Sequence, residues 1–271
     1  LQTLPARLRS RYFPEMRYTK IPPVEKAHLT AALLDAHSYT LAMLGAVEAS
    51  PGGALPPRAD CDPVLWSLGH IAWFQEKFGL RSGMTSQIGN ADSLFDPAIT
   101  PRRGRWEAAL PDGAQLLAWK SEICGRLIDS IAGEGPASVE DSYFIRLAIQ
   151  IEDMQGEALM RARQALGLPS PDLGSHGVVP AGDAVTGDVS IPVGIHMQGA
   201  SSKDPFYMDN EKWGHGYEVK PFAIARMPVT NAEFRDFVED EGYQREELWS
   251  RVGWGWRRHE AAQHPRFWEK R

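Results

Sequence analysis

The sequence predicts an α+β chain of two unlike parts: a four-helix bundle over residues 1–167 and a smaller mixed part over residues 189–271, joined by a linker at 168–188. Three observations carry this. The first 167 residues hold four long stretches with apolar residues at helical spacing, each bounded by capping or breaking residues. Residues 168–188, LPSPDLGSHGVVPAGDAVTGD, are rich in Pro, Gly, Ser and Asp and show no period. Beyond them the apolar residues come in short runs.

The first helix is expected within PPVEKAHLTAALLDAHSYTLAMLGAVEAS (22–50), which has no interior Pro or Gly before Gly45. A loop, PGGALPPRAD, follows. Asp62 then stands as N-cap with Pro63 at the first helical position, and the second helix runs to about Gly79. Residues 81–110 read as a long loop. Asp112 starts the third helix. Ser138, with Asp141 three residues later, opens the fourth, which Gly167 and Pro169 stop. In the smaller part, VSIPVGIHMQG and HGYEVKPFAIARMPV read as strands. TNAEFRDFVEDEGY reads as a short helix with a capping box from Thr230 to Glu233.

Bulk properties narrow the function. A net charge of −6 argues against nucleic-acid and anionic-membrane partners. No stretch approaches the roughly 18 apolar residues of a membrane span, and the first residues have no apolar core of a secretory signal. The two cysteines, Cys61 and Cys124, read as buried thiols of a reducing, cytoplasmic setting. The chain does not begin with Met, so residues are expected before Leu1. No Walker loop, dinucleotide fingerprint or G-x-S-x-G motif is present.

The candidate chemistry lies in the helices. Trp66, Gly69, His70, Trp73 and Phe74 share one face, so His70 is expected to point into the bundle beside aromatic rings. It reads either as a satisfied core histidine or as an imidazole ligand between helices. In IQIEDMQGE (149–157), Ile151 and Gln155 stand four apart on one face, as a ligand pair would, yet an amide oxygen is a weak ligand and a hydrocarbon is none. Gln155 is the amide in an apolar stripe, so it needs a partner, and His70 is the expected one. Glu152, Asp153 and Glu157 flank the stripe and read as solvated surface. His28 and His37 face opposite sides of the first helix, so at most one points inward. His37 could substitute for a lost ligand. Asp209, Asn210 and Glu211 read as a turn rather than a calcium site.

These motifs carry a resemblance. DPVLWSLGHIAWFQE is similar to the second helix of the DinB-like domain of ergothioneine sulfoxide synthases and selenoneine synthases. DSLFDPAITPRRGRWEAALP resembles their loop ending in R-W and L-P. IEDMQGEALMRARQALG resembles a helix that in selenoneine synthases reads about H-E-D-M-H-x-E-A. FYMDNEKWGHGYEVKPFAIARMPVTNAEFRDFVEDEGY, followed by ELWSRVGWGW, resembles the start of their formylglycine-generating-enzyme-like (sulfatase-modifying-factor, C-type-lectin-like) domain. The resemblance covers nearly the whole chain. It implies a DinB-like four-helix bundle followed by the first part of that α+β domain. It also implies a non-haem iron oxidoreductase that uses O2 to join a sulfur or selenium donor, a thiol or selenosugar, to the imidazole of hercynine, a trimethylated histidine. Family members hold Fe(II) with three histidines. Here His70 matches the first ligand position, while Ile151 and Gln155 stand at the other two. Arg102, Arg103 and Arg105 would then offer carboxylate-binding charge for the substrate. The family's second domain is expected to continue past Arg271. Two readings follow: an iron-dependent C–S or C–Se bond-forming enzyme, or a non-catalytic relative that keeps the fold, has lost iron, and binds a small molecule or a partner subunit.

Overall fold

The structure, a computed structural model, describes residues 24–45, 61–80, 86–173, 185–201 and 204–269. The loop expected at 51–60 lies outside them, as do most of the expected linker and both ends of the first helix as read from the sequence. The chain divides into two compact units, Leu1–Gly177 with Gln198–His215, and Val178–Met197 with Gly216–Arg271.

The first unit holds, in chain order, α1 (Lys26–Gly45), α2 (Val64–Phe74), two short helices α3 (Ala91–Phe95) and α4 (Arg102–Glu107), then α5 (Gly113–Ser130) and α6 (Val139–Ala165). Both α1 and α2 pack against α5 and α6, so the four long helices close around one core. Leu33, Met43, Ile71, Leu116, Ile123 and Leu127 are buried there, and burying each such side chain contributes roughly 1.5–3 kcal/mol. Local chemistry fixes the helix ends. Asp112 and Gln115 form a reciprocal capping box at α5, and the Ser138 hydroxyl accepts the Asp141 amide at α6. At the far end of α6, Gly167 takes φ +67°, and the Leu168 amide reaches back to the Arg163 carbonyl at 2.9 Å. Helix α2 runs on into a wider π-helical turn, Gln75–Leu80, an irregularity that frequently marks functional sites.

Two expectations need correction here. Asp62 is not the N-cap of α2; Pro63 takes that position, and the Asp62 carboxylate meets Arg102 and Arg105 instead. The stretch read as one loop at 81–110 contains α3 and α4, which are too short to show a helical period. Residues 204–208 also pack on the bundle. Phe206 lies 5.5 Å from Tyr143 between ring centroids, and Arg146 donates to the Pro205 carbonyl at 3.1 Å. Gly199 (φ +88°) is required nearby, because a Cβ would press on the Glu211 and Trp213 carbonyls.

The second unit carries two two-stranded sheets. Strands β1 (Asp188–Ile191) and β4 (Phe222–Ala225) pair antiparallel from Asp188↔Ala225 to Ile191↔Phe222; β2 (Gly194–Gln198) pairs with β3 (His215–Val219). Helix α7 (Asn231–Glu239) starts at the expected Thr230–Glu233 capping box, and α8 (Arg251–His259) starts at Ser250. Phe237, Tyr243, Trp249 and Trp256 form a continuous aromatic row beside them. Among the described residues no helix is long and apolar enough to cross a membrane.

Candidate functional site

One face of α2 is a ladder of rings whose N–H groups all reach the same short helix. Trp66 donates to the Leu94 carbonyl at 2.8 Å, and Trp73 donates to an Asp92 carboxylate oxygen at 2.6 Å. Between them, His70 Nδ1 lies 2.9 Å from the Phe95 carbonyl. A carbonyl can only accept, so the neutral ring carries its proton on Nδ1 and keeps the lone pair on Nε2. The ladder is stacked as well as anchored. Trp66 and His70 lie 4.9 Å apart at 9°, and His70 and Trp73 lie 5.4 Å apart at 28°. A cation covers each end: the Arg105 guanidinium is 3.8 Å from the Trp66 ring centre, and Lys77 Nζ is 4.8 Å from that of Trp73. His70 is buried, and burial holds its imidazole below the usual range. Arg105 acts in the same direction, and the bond to Phe95 opposes it. Gly69 makes this approach possible, because a Cβ there would overlap the buried Phe95 ring.

Helix α6 sits differently from its expected orientation. Its buried line runs Ile145, Ala148, Glu152, Gly156, Leu159 and Arg163, while Ile151 and Gln155 are half-buried and Met154 is exposed. Glu152, expected on the surface, is 1% exposed. The apolar-stripe reading penalised its charge, but a fixed cation sits opposite. Lys120 Nζ, itself fully buried, lies 2.9 Å from Oε1. Thr40 donates to that same oxygen at 2.8 Å, and the Gln75 amide donates to Oε2 at 2.7 Å. The His37 Nδ1 atom is 2.8 Å from Lys120 Nζ, which makes His37 the inward member of its pair and a lysine acceptor. His28 is exposed. Burial and Lys120 hold the His37 imidazole low, against Glu152. The sequence signal available for this network was a single polar residue at core spacing on each of four helical segments: Thr40, Gln75, Lys120 and Glu152.

The expected bond between His70 and Gln155 is absent. His70 is satisfied by Phe95, and the buried Gln155 Oε1 has no hydrogen-bond partner among the described residues. The arginines also have internal work. Arg105 Nη1 is 2.9 Å from Asp62 Oδ2 and its Nε donates to the Thr100 carbonyl at 3.1 Å; Arg102 Nε is 3.4 Å from Asp62 Oδ1. Arg103 is solvent-exposed and lies 3.7 Å from Glu107. Asp209 pairs with Lys212, and Glu211 accepts the Met208 amide, so this turn closes on itself as expected.

A metal set can be tested on these groups. Nε2 of His70 is a sound ligand atom. Ile151 has no lone pair, and an amide oxygen binds transition metals weakly. Among the described residues no cluster of three or more His, Cys, Asp or Glu could hold a metal ion. The residues present do not fit a three-histidine iron centre.

Residues 177–270 match the sulfatase-modifying factor enzyme 1-like domain. Over 263 residues the chain is 30% identical to a hercynine oxygenase of Mycolicibacterium thermoresistibile, covering 92% of this chain and 56% of that protein. The hercynine oxygenase of Mycolicibacterium smegmatis is 31% identical over 217 residues, 76% of this chain and 49% of that one. A mouse protein named inactive C-alpha-formylglycine-generating enzyme 2 is 41% identical over 58 residues, 21% of this chain and 18% of its own length. The chain thus spans about half the length of these hercynine oxygenases. With matches that run through both units, the chain belongs to the ergothioneine sulfoxide synthase-like family.

Proposed function

We propose that this chain is a relative of the sulfoxide synthases that binds a hercynine-like imidazole betaine but does not build the family's iron centre. Its first unit is read as a DinB-like bundle, and residues 189–271 as the first part of the formylglycine-generating-enzyme-like domain. One observation carries the reading. At the position that the resemblance gives to the first ligand stands His70, its Nδ1 held by the Phe95 carbonyl, while the other two positions carry a hydrocarbon at Ile151 and an amide at Gln155. Helix register supports a shared site for the three. Gln75 meets Ala148 and Glu152, Phe74 packs against the cluster of Tyr143, Phe144 and Leu147, and Gly79 approaches Ala148, which is consistent with α2 and α6 running antiparallel. One turn back from Phe74 is His70; one turn on from Leu147 is Ile151. The matched relatives are hercynine oxygenases, which supports a hercynine-like ligand for this site.

The iron-dependent reading, O2-driven C–S or C–Se bond formation with a thiol or selenosugar donor, is favoured by the lone pair of His70 Nε2 and by the hercynine oxygenases among the relatives. Elemental analysis after anaerobic loading with Fe(II), paired with calorimetric titration of hercynine, separates the readings. Iron well below one equivalent with saturable hercynine binding is expected. Iron near one equivalent with hercynine-dependent O2 uptake would restore the catalytic reading. A titration that shows no saturable heat removes the binding role.

A further inference from the structure

A groove of about 510 Å³ opens in the first unit, on the side of α3 that carries Leu94. The next residue, Phe95, turns its carbonyl to His70, so the groove neighbours that site and is separate from it. Trp119, Leu94, Leu110 and Ile88 give it an apolar lining, and Gln87 and Glu122 stand at its polar rim. Its volume lies in the range of small-molecule sites, which combine apolar walls with a few placed polar groups.

Charge selects the ligand class. Among the described residues that line it, Glu122 is the one formally charged side chain. The Gln87 amide donates to Glu122 Oε2, which orients the carboxylate, and Oε1 has no partner among the described residues. The N-terminus of α5 meets the groove at Gln115, but its positive end is already capped by the Asp112 carboxylate. A cation entering here would meet the Glu122 carboxylate above an apolar floor that includes the buried Trp119, whereas an anion would be repelled by that carboxylate. We propose that this groove is a second binding site, for a small primary ammonium compound with an aromatic or branched apolar body. The apolar part would lie along Leu110 and Ile88, above the buried edge of Trp119, with the ammonium at Glu122. This proposal stands apart from the function proposed for the His70 site.

The test uses three probes of one shape on the full chain: phenethylammonium, 2-phenylethanol and 3-phenylpropionate. Binding is read from the indole N–H signal of Trp119 in two-dimensional NMR, identified by its loss in Trp119→Phe. Phenethylammonium should shift that signal saturably, about fivefold more tightly than the alcohol, with no saturation by the carboxylate. Glu122→Gln, at an exposed position that leaves the fold intact, should erase the preference for the amine over the alcohol. Ala118→Trp, also at an exposed position, should block both. The proposal is overturned if the amine fails to saturate, if it binds no better than the alcohol, or if Glu122→Gln leaves its affinity unchanged.

Discussion

Replacing Glu152 by alanine removes the carboxylate that Lys120, Thr40 and Gln75 all address inside the bundle. Lys120 would then be a cation at 0% exposure with only the neutral His37 nitrogen nearby. Breaking a buried pair on one side destabilises by about 3–5 kcal/mol, because an uncompensated charge stays behind. The stranded donors of Thr40 and Gln75 act in the same direction, at about 1–3 kcal/mol each, but these effects overlap and do not add. We expect a total loss of about 3–5 kcal/mol, which for a unit of this size lowers Tm by about 6–20 °C. Urea unfolding followed by helix circular dichroism gives the measurement. The double variant Lys120→Met with Glu152→Leu should recover more than half of the loss, since a buried ion pair exchanged for hydrocarbon is often neutral. A Glu152→Ala loss under about 1 kcal/mol, or a double variant as unstable as the single one, would mean that Glu152 does not neutralise Lys120 in the core.

Two further outcomes follow from the same geometry. Gly69→Ala should destabilise by about 1–3 kcal/mol through overlap with the Phe95 ring, although alanine gains about 1 kcal/mol in helix propensity; the urea midpoint reports it, and an unchanged or raised midpoint would contradict the packing. Stability should also fall as pH drops through the histidine range. The imidazoles of His37 and His70 are both held below their usual value in the folded chain, so just below pH 6.5 the unfolded chain binds more protons. Their contribution is full above that pH and is lost as acidification approaches the folded-state values. Urea midpoints at pH 7.5 and 5.5 test this, and His37→Gln should flatten part of the slope; a midpoint that rises on acidification runs against it.

The long helices and their caps were legible in sequence because capping chemistry is local: Asp112 with Gln115, Ser138 with Asp141, and Thr230 with Glu233 need no tertiary information. The inward position of His70 was legible from aromatic spacing. The hidden features depend on contacts distant in sequence. Glu152 becomes a core residue only because Lys120, 32 positions earlier, supplies its counter-charge. The partner of His70 is a main-chain carbonyl on α3, and no side-chain pattern announces it. For the same reason Asp62 read as a cap, whereas Arg105 turns it into an anchor for the Trp66 end of the ladder.

In the function proposed above, His70, Ile151 and Gln155 stand at the family's metal positions and the last two no longer ligate. Installing Ile151→His together with Gln155→His and titrating anaerobically with Fe(II) tests it most directly. The folded double variant should take up about one equivalent tightly where the parent chain takes up almost none. A folded double variant that stays iron-free would show that the three positions do not converge, and a parent chain that binds as well as the variant would show that its own side chains suffice.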